Sequence, residues 1–337
     1  TIRSIYDKGL CVGCGACSAI CPKSAITMRR TSKGFYAPVI DGSKCDQCKL
    51  CVSVCPGHSV NFKKLNEFIF NRQLGDPLLG NLLICYTGYA LDPQIRWVGQ
   101  SGGVITALLV FALEKGLIDA AILTKMSRPD PLIPEVFIAR NKEEILNASK
   151  SKYCPVPLNV VVKEVLEREG KYAVVCTPCQ MHGLRKIEMM KPKLEEKITL
   201  HLGLFCSHIL SFLATDFLLH KAGVRKKDLA LFEYRSKKLR GWPGDVYLKT
   251  KDGNDRFLLR DYRTNIKPFF TPWRCKMCHD QVGEFSDISF GDAWLPEVKN
   301  RKRGTSILIV RTKRGEKILQ EASQAGIVAI QAIPRKK

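Results

Sequence analysis

The sequence contains no apolar stretch long enough to cross a bilayer. Its longest mainly apolar run, residues 104–113, is about half of the ~20 residues that a transmembrane helix requires. No secretory signal pattern precedes the first cysteines. We therefore expect a cytoplasmic protein without a transmembrane segment, and a peripheral position at the cytoplasmic face of a membrane stays open as the alternative.

Acidic residues are scarce, with 32 Asp and Glu against 54 Lys and Arg and a formal net charge of +22. Residues 221–275 contain fifteen basic and six acidic residues, and residues 299–337 contain eleven and two. Such a surface indicates nucleic acid, anionic lipid, an acidic protein or a charged cofactor, or else merely solvated side chains. Because no nucleic-acid-binding motif is present, we expect no nucleic acid. The basic tail from Arg301 onward is predicted to dock on an acidic subunit or an anionic membrane.

Cysteine, in contrast, is abundant, and eight of the fifteen cysteines form two similar runs. Each run has the spacing CxxCxxCxxxCP, and the members are Cys11, Cys14, Cys17 and Cys21 in the first run and Cys45, Cys48, Cys51 and Cys55 in the second. This spacing is typical of a bacterial ferredoxin with two 4Fe-4S clusters. A zinc site or disulfides are the alternative, but zinc sites usually use two CxxC pairs, and a reducing compartment disfavours disulfides.

The fourth cysteine of each run lies three residues beyond the third and is expected to ligate the other cluster. The spacing therefore assigns Cys11, Cys14, Cys17 and Cys55 to one cluster. It assigns Cys45, Cys48, Cys51 and Cys21 to the second. We place this domain at residues 1–64.

The remainder, residues 65–337, alternates apolar strand and helix patterns and predicts a mixed α/β sheet flanked by helices. Residues 65–100 are predicted to be a linker that ends in a strand. Residues 80–230 are predicted as the main α/β part and residues 230–337 as a basic C-terminal part. Asn141 is predicted to cap one helix and Ser207 another, and residues 251–254 to form a hairpin turn.

Four further cysteines fall at places that allow a shared site. Cys179 and Cys206 each follow a strand at the start of a helix, and Cys275 and Cys278 form a CxxC pair. If those strands are neighbours, the four thiols meet at one sheet edge and predict a third 4Fe-4S cluster. The alternative is that Cys179 and Cys206 are small buried apolar residues. Cys85, Cys154 and Cys176 are predicted to be core cysteines, although Cys176 lies close to the proposed site.

A glycine-rich turn, Gln100-Ser101-Gly102-Gly103-Val104-Ile105-Thr106, leads into a helix. Free N–H groups at such a helix start bind phosphate, although a plain loop is the alternative. The turn is not GxGxxG, so the sequence lacks the ordinary dinucleotide fingerprint.

These motifs in this order resemble the beta subunits of coenzyme F420-reducing hydrogenases and F420H2 dehydrogenases, which form one family, over roughly residues 80–315. The resemblance rests on the glycine-rich turn, Ser151-Lys152-Tyr153, Cys176-Thr177-Pro178-Cys179-Gln180, Gly203-Leu204-Phe205-Cys206, Cys275-Lys276-Met277-Cys278 and Asp287-Ile288-Ser289-Phe290-Gly291-Asp292. It implies a bound FAD, a third 4Fe-4S cluster, coenzyme F420 as substrate and a partner redox subunit in a larger complex.

The resemblance also assigns residues. Those that would bind FAD are Ser101, Gly102, Gly103, Thr106, Ser151, Lys152, Tyr153 and Thr177. Those that would ligate the third cluster are Cys179, Cys206, Cys275 and Cys278. Cys176 stands where relatives have glycine, so the choice between Cys176 and Cys179 stays open. His182, His208 and His279 are predicted to be structural, and no side chain need act as a general acid or base.

Three functions follow for testing. The first is hydride exchange between F420 and FAD, with single electrons passed through the clusters to or from a partner. The second is a ferredoxin-driven flavin reductase of an organic substrate. The third is a non-catalytic iron–sulfur adaptor. The sequence leaves open the direction of electron flow, the partner, the cluster potentials and the oligomeric state.

Overall fold

The computed structural model describes residues 1–334, so residues 335–337 at the end of the predicted basic tail lie outside the described residues. The mixed α/β class is confirmed. Within residues 1–334, no helix combines the length and the apolar character needed to cross a membrane.

Strands are numbered along the chain. They are β1 (Ile26–Arg30), β2 (Tyr36–Ile40), β3 (Ile84–Ala90), β4 (Ala120–Met126), β5 (Pro134–Ala139), β6 (Tyr172–Cys176), β7 (Ile198–Leu204), β8 (Leu229–Ser236), β9 (Asp245–Thr250), β10 (Asp255–Leu258), β11 (Ile288–Asp292), β12 (Ser306–Val310) and β13 (Val328–Ile333).

The α-helices are numbered in the same way. They are α1 (Ile2–Asp7), α2 (Ala16–Ile20), α3 (Leu50–Ser53), α4 (Phe62–Phe70), α5 (Pro93–Val98), α6 (Val104–Glu114), α7 (Lys142–Asn147), α8 (Val162–Glu167), α9 (Pro178–Glu188), α10 (Pro192–Lys197), α11 (Phe212–Lys221), α12 (Arg260–Asn265), α13 (Lys267–Phe270), α14 (Trp273–Lys276) and α15 (Lys313–Gln324). Two short 3₁₀ helices span Leu158–Val161 and Lys226–Asp228.

Eight strands form one mixed sheet in the order β13-β3-β12-β11-β7-β6-β4-β5. The central strands β4, β6, β7 and β11 are parallel, whereas the outer neighbours pair antiparallel. The register pairs Cys176 with Gly203 and Leu204 with Phe290. The carboxyl ends of the four parallel strands therefore share one edge, and ligands of open α/β sheets bind at that edge.

Helices cover both faces of this sheet. Successive residues of a strand point to opposite faces, so neighbouring residues of one strand pack against different helices. On β4, Ala121 and Leu123 belong to the apolar core that includes α6 and α15. Ile122 between them belongs to the core that includes α8 and α9. Burial on both faces explains why these strands are almost continuously apolar in sequence.

A second, three-stranded antiparallel sheet has the order β10-β9-β8. It packs on α11 through a separate apolar core that includes Phe212, Leu218, Phe232 and Val246. The remaining sheet is the β1–β2 hairpin of the cysteine-rich segment.

The cysteine-rich segment packs directly on the large α/β part. The backbone N–H of Asn159 donates to the carbonyl of Cys14 at 2.9 Å, and Lys186 Nζ donates to the carbonyl of Cys55 at 3.1 Å. Gly183 on α9 permits this approach, since a Cβ there would lie only 3.0 Å from the Cβ of Ala16, which follows the first cysteine loop. The first cysteine loop and α9 are therefore in contact.

Helix α4 adds a second attachment. Asn66 is fully buried, and its Nδ2 donates to Glu284 Oε1 at 2.7 Å. Asn81 Nδ2 in turn donates to Asn66 Oδ1 at 2.6 Å, so the helix is tied to two distant parts of the chain. On the apolar side of α4, Phe62 packs against Phe285, with 5.0 Å between the two ring centres.

Two local predictions are confirmed. Asn141 caps α7, with its Oδ1 accepting from the N–H of Glu144 at 2.9 Å. Strands β9 and β10 form the expected hairpin, and Gly253 at φ +91° supplies the left-handed residue of its turn.

Other local predictions are wrong. Ser207 does not cap a helix, because its Oγ bonds His208 Nδ1 at 2.7 Å; α11 begins later, where Ser211 Oγ accepts from the N–H of Leu213 at 3.1 Å. The predicted linker contains α5 and most of α4, which also crosses the predicted boundary at residue 64. Strand β5 was not predicted, although its sequence is mostly apolar and Glu135 is its one exposed residue.

Arg311 joins two loops to the sheet. Its guanidinium donates to the carbonyls of Leu79, Asn81 and Val282 at 2.6, 2.9 and 3.1 Å. The side chain is buried, at 3% exposure, and burial lowers the pKa of Arg311 to about 10. One buried cation therefore supplies the hydrogen-bond donors for all three carbonyls.

Replacing Arg311 with Met should lower the free energy of unfolding by about 3 kcal/mol or more, because buried carbonyls lose their donors. Anaerobic urea unfolding followed by circular dichroism measures the loss. Arg311→Lys should recover part of it, and Arg256→Met at an exposed position should leave stability unchanged. Equal midpoints for Arg311→Met and Arg256→Met would contradict this role.

Candidate cofactor cavity and cysteine clusters

A cavity of about 690 Å³ opens at the carboxyl edge of the parallel strands. Cys176 and Thr177 after β6, Leu204 at the end of β7 and Asp292 at the end of β11 are on its wall. The volume is within the range of pockets that hold whole cofactors.

The glycine-rich turn reaches the cavity through three of its four predicted residues, Ser101, Gly103 and Thr106. Gly103 has φ +80° and directs the chain into α6, whose first N–H groups have no partner within the helix. Ser101 Oγ is already bonded to the carbonyl of Thr305 at 2.7 Å. Binding of a phosphate at this turn therefore falls to backbone N–H groups rather than to the Ser101 hydroxyl.

Gly102 is placed away from the cavity wall. Its N–H donates to Ser306 Oγ at 3.0 Å, and a Cβ there would lie 2.5 Å from the carbonyl oxygen of Gly88. The absence of a side chain at Gly102 therefore serves close packing of the turn on the sheet.

Lys237 fixes the same turn from behind. Its Nζ donates to the carbonyls of Arg96, Ser101 and Arg303 at 2.9, 2.8 and 2.7 Å. The residue is 3% exposed, and burial lowers the pKa of Lys237 to about 7. One ammonium thus sets the position of three loop segments.

The predicted Ser151, Lys152 and Tyr153 all contribute to the cavity wall. Lys152 Nζ does not reach for a ligand, because it donates to the carbonyls of Ala148, Ser149 and Lys150. Burial lowers the pKa of Lys152 to about 7. Lys152 therefore holds the loop that presents the ring of Tyr153.

Arg235 is a wall residue that the sequence did not single out. It is 5% exposed, and its Nη1 donates to Asp292 Oδ2 at 2.8 Å and to Tyr153 Oη at 3.4 Å. Trp242 Nε1 donates to the other Asp292 oxygen at 2.8 Å. Arg235 Nη2 is buried and has no partner among the described residues. The residue adds a cation to the cavity wall, which suits an anionic ligand such as a nucleotide.

Cys179, Cys206, Cys275 and Cys278 are brought together beside the cavity. Cys275 and Cys278 raise the pKa of both Cys179 and Cys206 by charge repulsion, after the larger effect of burial. Burial raises the pKa of Cys179 to about 12, so the helix start alone does not produce a thiolate there. Ligation to iron deprotonates such thiols.

Cys176 is placed differently from Cys179. It is 1% exposed within the apolar core, and its Sγ lies 3.9 Å from Met181 Sδ. Cys206, Cys275 and Cys278 are not among the groups that shift the pKa of Cys176. This placement favours Cys179 as the ligand.

The eight N-terminal cysteines fall into two groups. Cys11, Cys14, Cys17 and Cys55 surround a small void of about 10 Å³. Cys48 and Cys21 both raise the pKa of Cys51, while Cys45 and Cys48 are exposed at the surface. The assignment of these ligands to two clusters stays a prediction. It is supported by the position of Cys55 beside the first run and of Cys21 beside Cys51 of the second.

Within residues 1–334, no three His, Cys, Asp or Glu side chains converge closely enough to hold a single metal ion. A cubane has a different requirement, because each of its four thiolates binds a separate iron. All three groups contain four cysteines, so the donor chemistry fits 4Fe-4S clusters.

The three nearby histidines have protein partners. His182 Nε2 bonds Asp280 Oδ2 at 2.7 Å, and the ring of His279 contacts Phe62 at 4.6 Å. Burial lowers the pKa of His208 to about 4, so its ring is neutral. Their structural role stays a prediction.

A cysteine-rich electron-transfer domain joined to an α/β domain with a cofactor-sized cavity defines an iron–sulfur oxidoreductase component. A 4Fe-4S dicluster domain matches residues 10–59. The coenzyme F420 hydrogenase/dehydrogenase beta subunit matches with its N-terminal part at residues 85–163 and its C-terminal part at residues 169–336. The chain belongs to this family of beta subunits and carries a 4Fe-4S domain for electron transfer.

Several relatives share this organisation. The coenzyme F420-dependent sulfite reductase of Methanocaldococcus jannaschii is 28% identical over 333 residues, which are 94% of this chain and 46% of that enzyme. The chain thus spans less than half of that relative. One subunit of the F420H2 dehydrogenase of Methanosarcina mazei is 26% identical over 94% of this chain and 83% of its own length.

A solved structure is similar as well. A chain of the F420-reducing NiFe hydrogenase complex from Methanosarcina barkeri superposes with a TM-score of 0.61 at 26% identity. The match covers 76% of this chain and 84% of that chain.

The depressed pKa of Lys237 should give stability a pH dependence. Between about pH 7 and its unfolded pKa of ~10.4, the unfolded chain binds more protons than the folded chain, so the free energy of unfolding rises with pH. The contribution of one lysine is at most about 1.4 kcal/mol per pH unit. Urea unfolding across this range should show a shallower slope for Lys237→Met than for wild type, whereas parallel slopes would refute the assignment.

Metal analysis separates Cys179 from Cys176. After anaerobic reconstitution we expect about twelve iron atoms per wild-type chain, because three cubanes contain four each. Cys179→Ser should fall to about eight, and Cys176→Ser, the matched control, should stay near twelve. Iron loss from the Cys176 variant alone would make Cys176 the ligand.

Proposed function

We propose that this protein exchanges a hydride between coenzyme F420 and bound FAD and passes single electrons through three 4Fe-4S clusters to or from a partner redox subunit. The observation that carries the proposal is the continuity of the cysteine groups with the cavity. Cys14 of the first N-terminal group lies near enough to Cys179 that the charge of Cys179 raises the pKa of Cys14.

The order of the groups supports a linear path. Cys45 and Cys48 are exposed, and Cys51 of the same group contributes to the pKa of Cys17 in the next. Cys14 then adjoins Cys179, which is on the cavity wall. Electrons that enter or leave at the exposed group would therefore reach the cavity in three short steps.

The cavity has the parts that a flavin nucleotide needs. Bound FAD would supply the chemistry that links two-electron hydride transfer to one-electron transfer. The glycine-rich turn would bind its phosphates through backbone N–H groups, with Lys237 holding the turn and Arg235 contributing positive charge. Tyr153 and Thr177 would line the same site, and the buried walls would exclude water.

Coenzyme F420 as the substrate is supported by the names of the relatives, each of which is an F420-dependent enzyme or one of its subunits. The hydrogenase relative is part of a complex, which supports a partner subunit at the exposed cysteine group. The net charge of +22 favours a partner or substrate that is anionic.

Anaerobic stopped-flow mixing tests the proposal. F420H2 should bleach the flavin absorbance and then the iron–sulfur absorbance, whereas NADH should bleach neither. In Cys179→Ser the flavin should still bleach, but reduction of the N-terminal clusters should be at least about tenfold slower, since the middle relay is lost. Cys176→Ser serves as the control with unchanged phases.

Two outcomes would replace the proposal. Bleaching by reduced ferredoxin or a viologen with turnover of a non-deazaflavin organic acceptor would favour the ferredoxin-driven reductase. Protein that binds no FAD even when FAD is supplied would leave only the iron–sulfur adaptor.

A further inference from the structure

Arg263, on α12, is a buried cation on the cavity wall that has an aromatic neighbour and an unpaired nitrogen. It is 5% exposed, and its guanidinium lies over the ring of Tyr153 at 4.3 Å from the ring centre. Its Nε has no hydrogen-bond partner among the described residues. A donor that is buried and unpaired is costly unless something occupies the space in front of it.

The charge of Arg263 is not neutralised within residues 1–334. Tyr153 and, to a smaller extent, Asp292 favour the charged form of Arg263, but the two oxygens of Asp292 already accept from Arg235 and Trp242 at 2.8 Å each. Burial lowers the pKa of Arg263, and Arg235 and Arg260 lower it further. Buried charges in proteins are normally paired, so this one calls for an anion from outside the chain.

Two more cations stand next to Arg263 on the cavity wall. Arg260 begins α12, and its only described ion pair is a long one, 3.8 Å from Nε to Oδ1 of the exposed Asp261. Lys267 begins α13, and burial together with Arg263 and Arg260 lowers its pKa. Both are half-exposed, so this basic group leads from the buried wall to solvent.

We propose that Arg263, Arg260 and Lys267 form an anion-binding subsite for the phosphate- and carboxylate-bearing arm of the hydride-carrying substrate. The inference rests on the proposed function and names the residues that recognise that arm. Planar guanidinium groups bind phosphate and carboxylate through paired, charge-assisted hydrogen bonds.

The same chemistry could come from the phosphates of the flavin nucleotide, but the placement favours the substrate. The glycine-rich turn provides another position for the nucleotide phosphates on the wall of the same cavity. Arg260 and Lys267 are open to solvent, which suits a ligand that must enter and leave at each turnover.

The experiment compares two ligands on the FAD-loaded protein: oxidised F420, and its free deazaflavin chromophore, which lacks the phosphate and the glutamates. Anaerobic fluorescence titration gives both dissociation constants. Wild type should bind F420 about 10- to 100-fold more tightly than the chromophore, as expected for one or two charge-assisted contacts. Arg263→Gln and Lys267→Gln should each shrink this ratio toward one, and Arg263→Lys should retain part of it.

Arg256→Gln, at an exposed position on β10, is the matched control and should keep the wild-type ratio. The F420 affinity of wild type should fall with added salt more steeply than that of the Lys267 variant. If Arg263→Gln does not fold, Lys267→Gln alone decides the outcome.

Failure of the subsite and failure of the proposed function give different results. Binding of neither ligand by wild type would remove the proposed function. An unchanged ratio in the Lys267 and Arg263 variants would overturn the subsite while leaving the function. Loss of bound FAD from these variants, with an unchanged ratio after FAD is resupplied, would assign the cations to the nucleotide and overturn the substrate assignment.

Discussion

The contact between the first cysteine loop and helix α9 is the constraint on which the rest of the arrangement depends. α9 begins one residue before Cys179 and passes Cys14 at Gly183, so one helix adjoins two cysteine groups. A Cβ at Gly183 would lie 3.0 Å from the Cβ of Ala16, so the two segments would have to separate slightly. Since single-electron transfer weakens steeply with distance, the proposed path between the two cysteine groups depends on this close approach.

Several basic residues serve the interior. Lys152, Lys237 and Arg311 are each directed at three backbone carbonyls rather than at carboxylates. Lys237 and Arg311 thereby join loops that no regular hydrogen-bond ladder could join, while Lys152 holds its own loop in place. The formal charge of +22 therefore overstates the positive surface, and the unpaired Arg263 differs from these three in having neither carbonyls nor an available carboxylate among the described residues.

The sequence predicted best where the signal is local or periodic. Cysteine spacing located the ferredoxin-type domain, and strand–helix alternation predicted the α/β sheet whose carboxyl edge gathers Cys179, Cys206 and the glycine-rich turn. It failed where side chains find distant partners. Arg235 reaches Asp292 across 57 positions, and no motif marks it. Ser207 has the composition of a helix cap, but the adjacent His208 takes its hydroxyl.

The hydrogen bonds of Asn66 with Glu284 and Asn81 have a kinetic consequence. Many multidomain redox proteins carry an electron on a tethered module that swings between docking positions, and diffusion of that module then limits turnover. Here α4, which follows the cysteine runs, is held through the buried Asn66, whose amide bonds both Glu284 and Asn81. If the clusters carry electrons as proposed, this attachment favours transfer at a fixed separation over transfer by a swinging module.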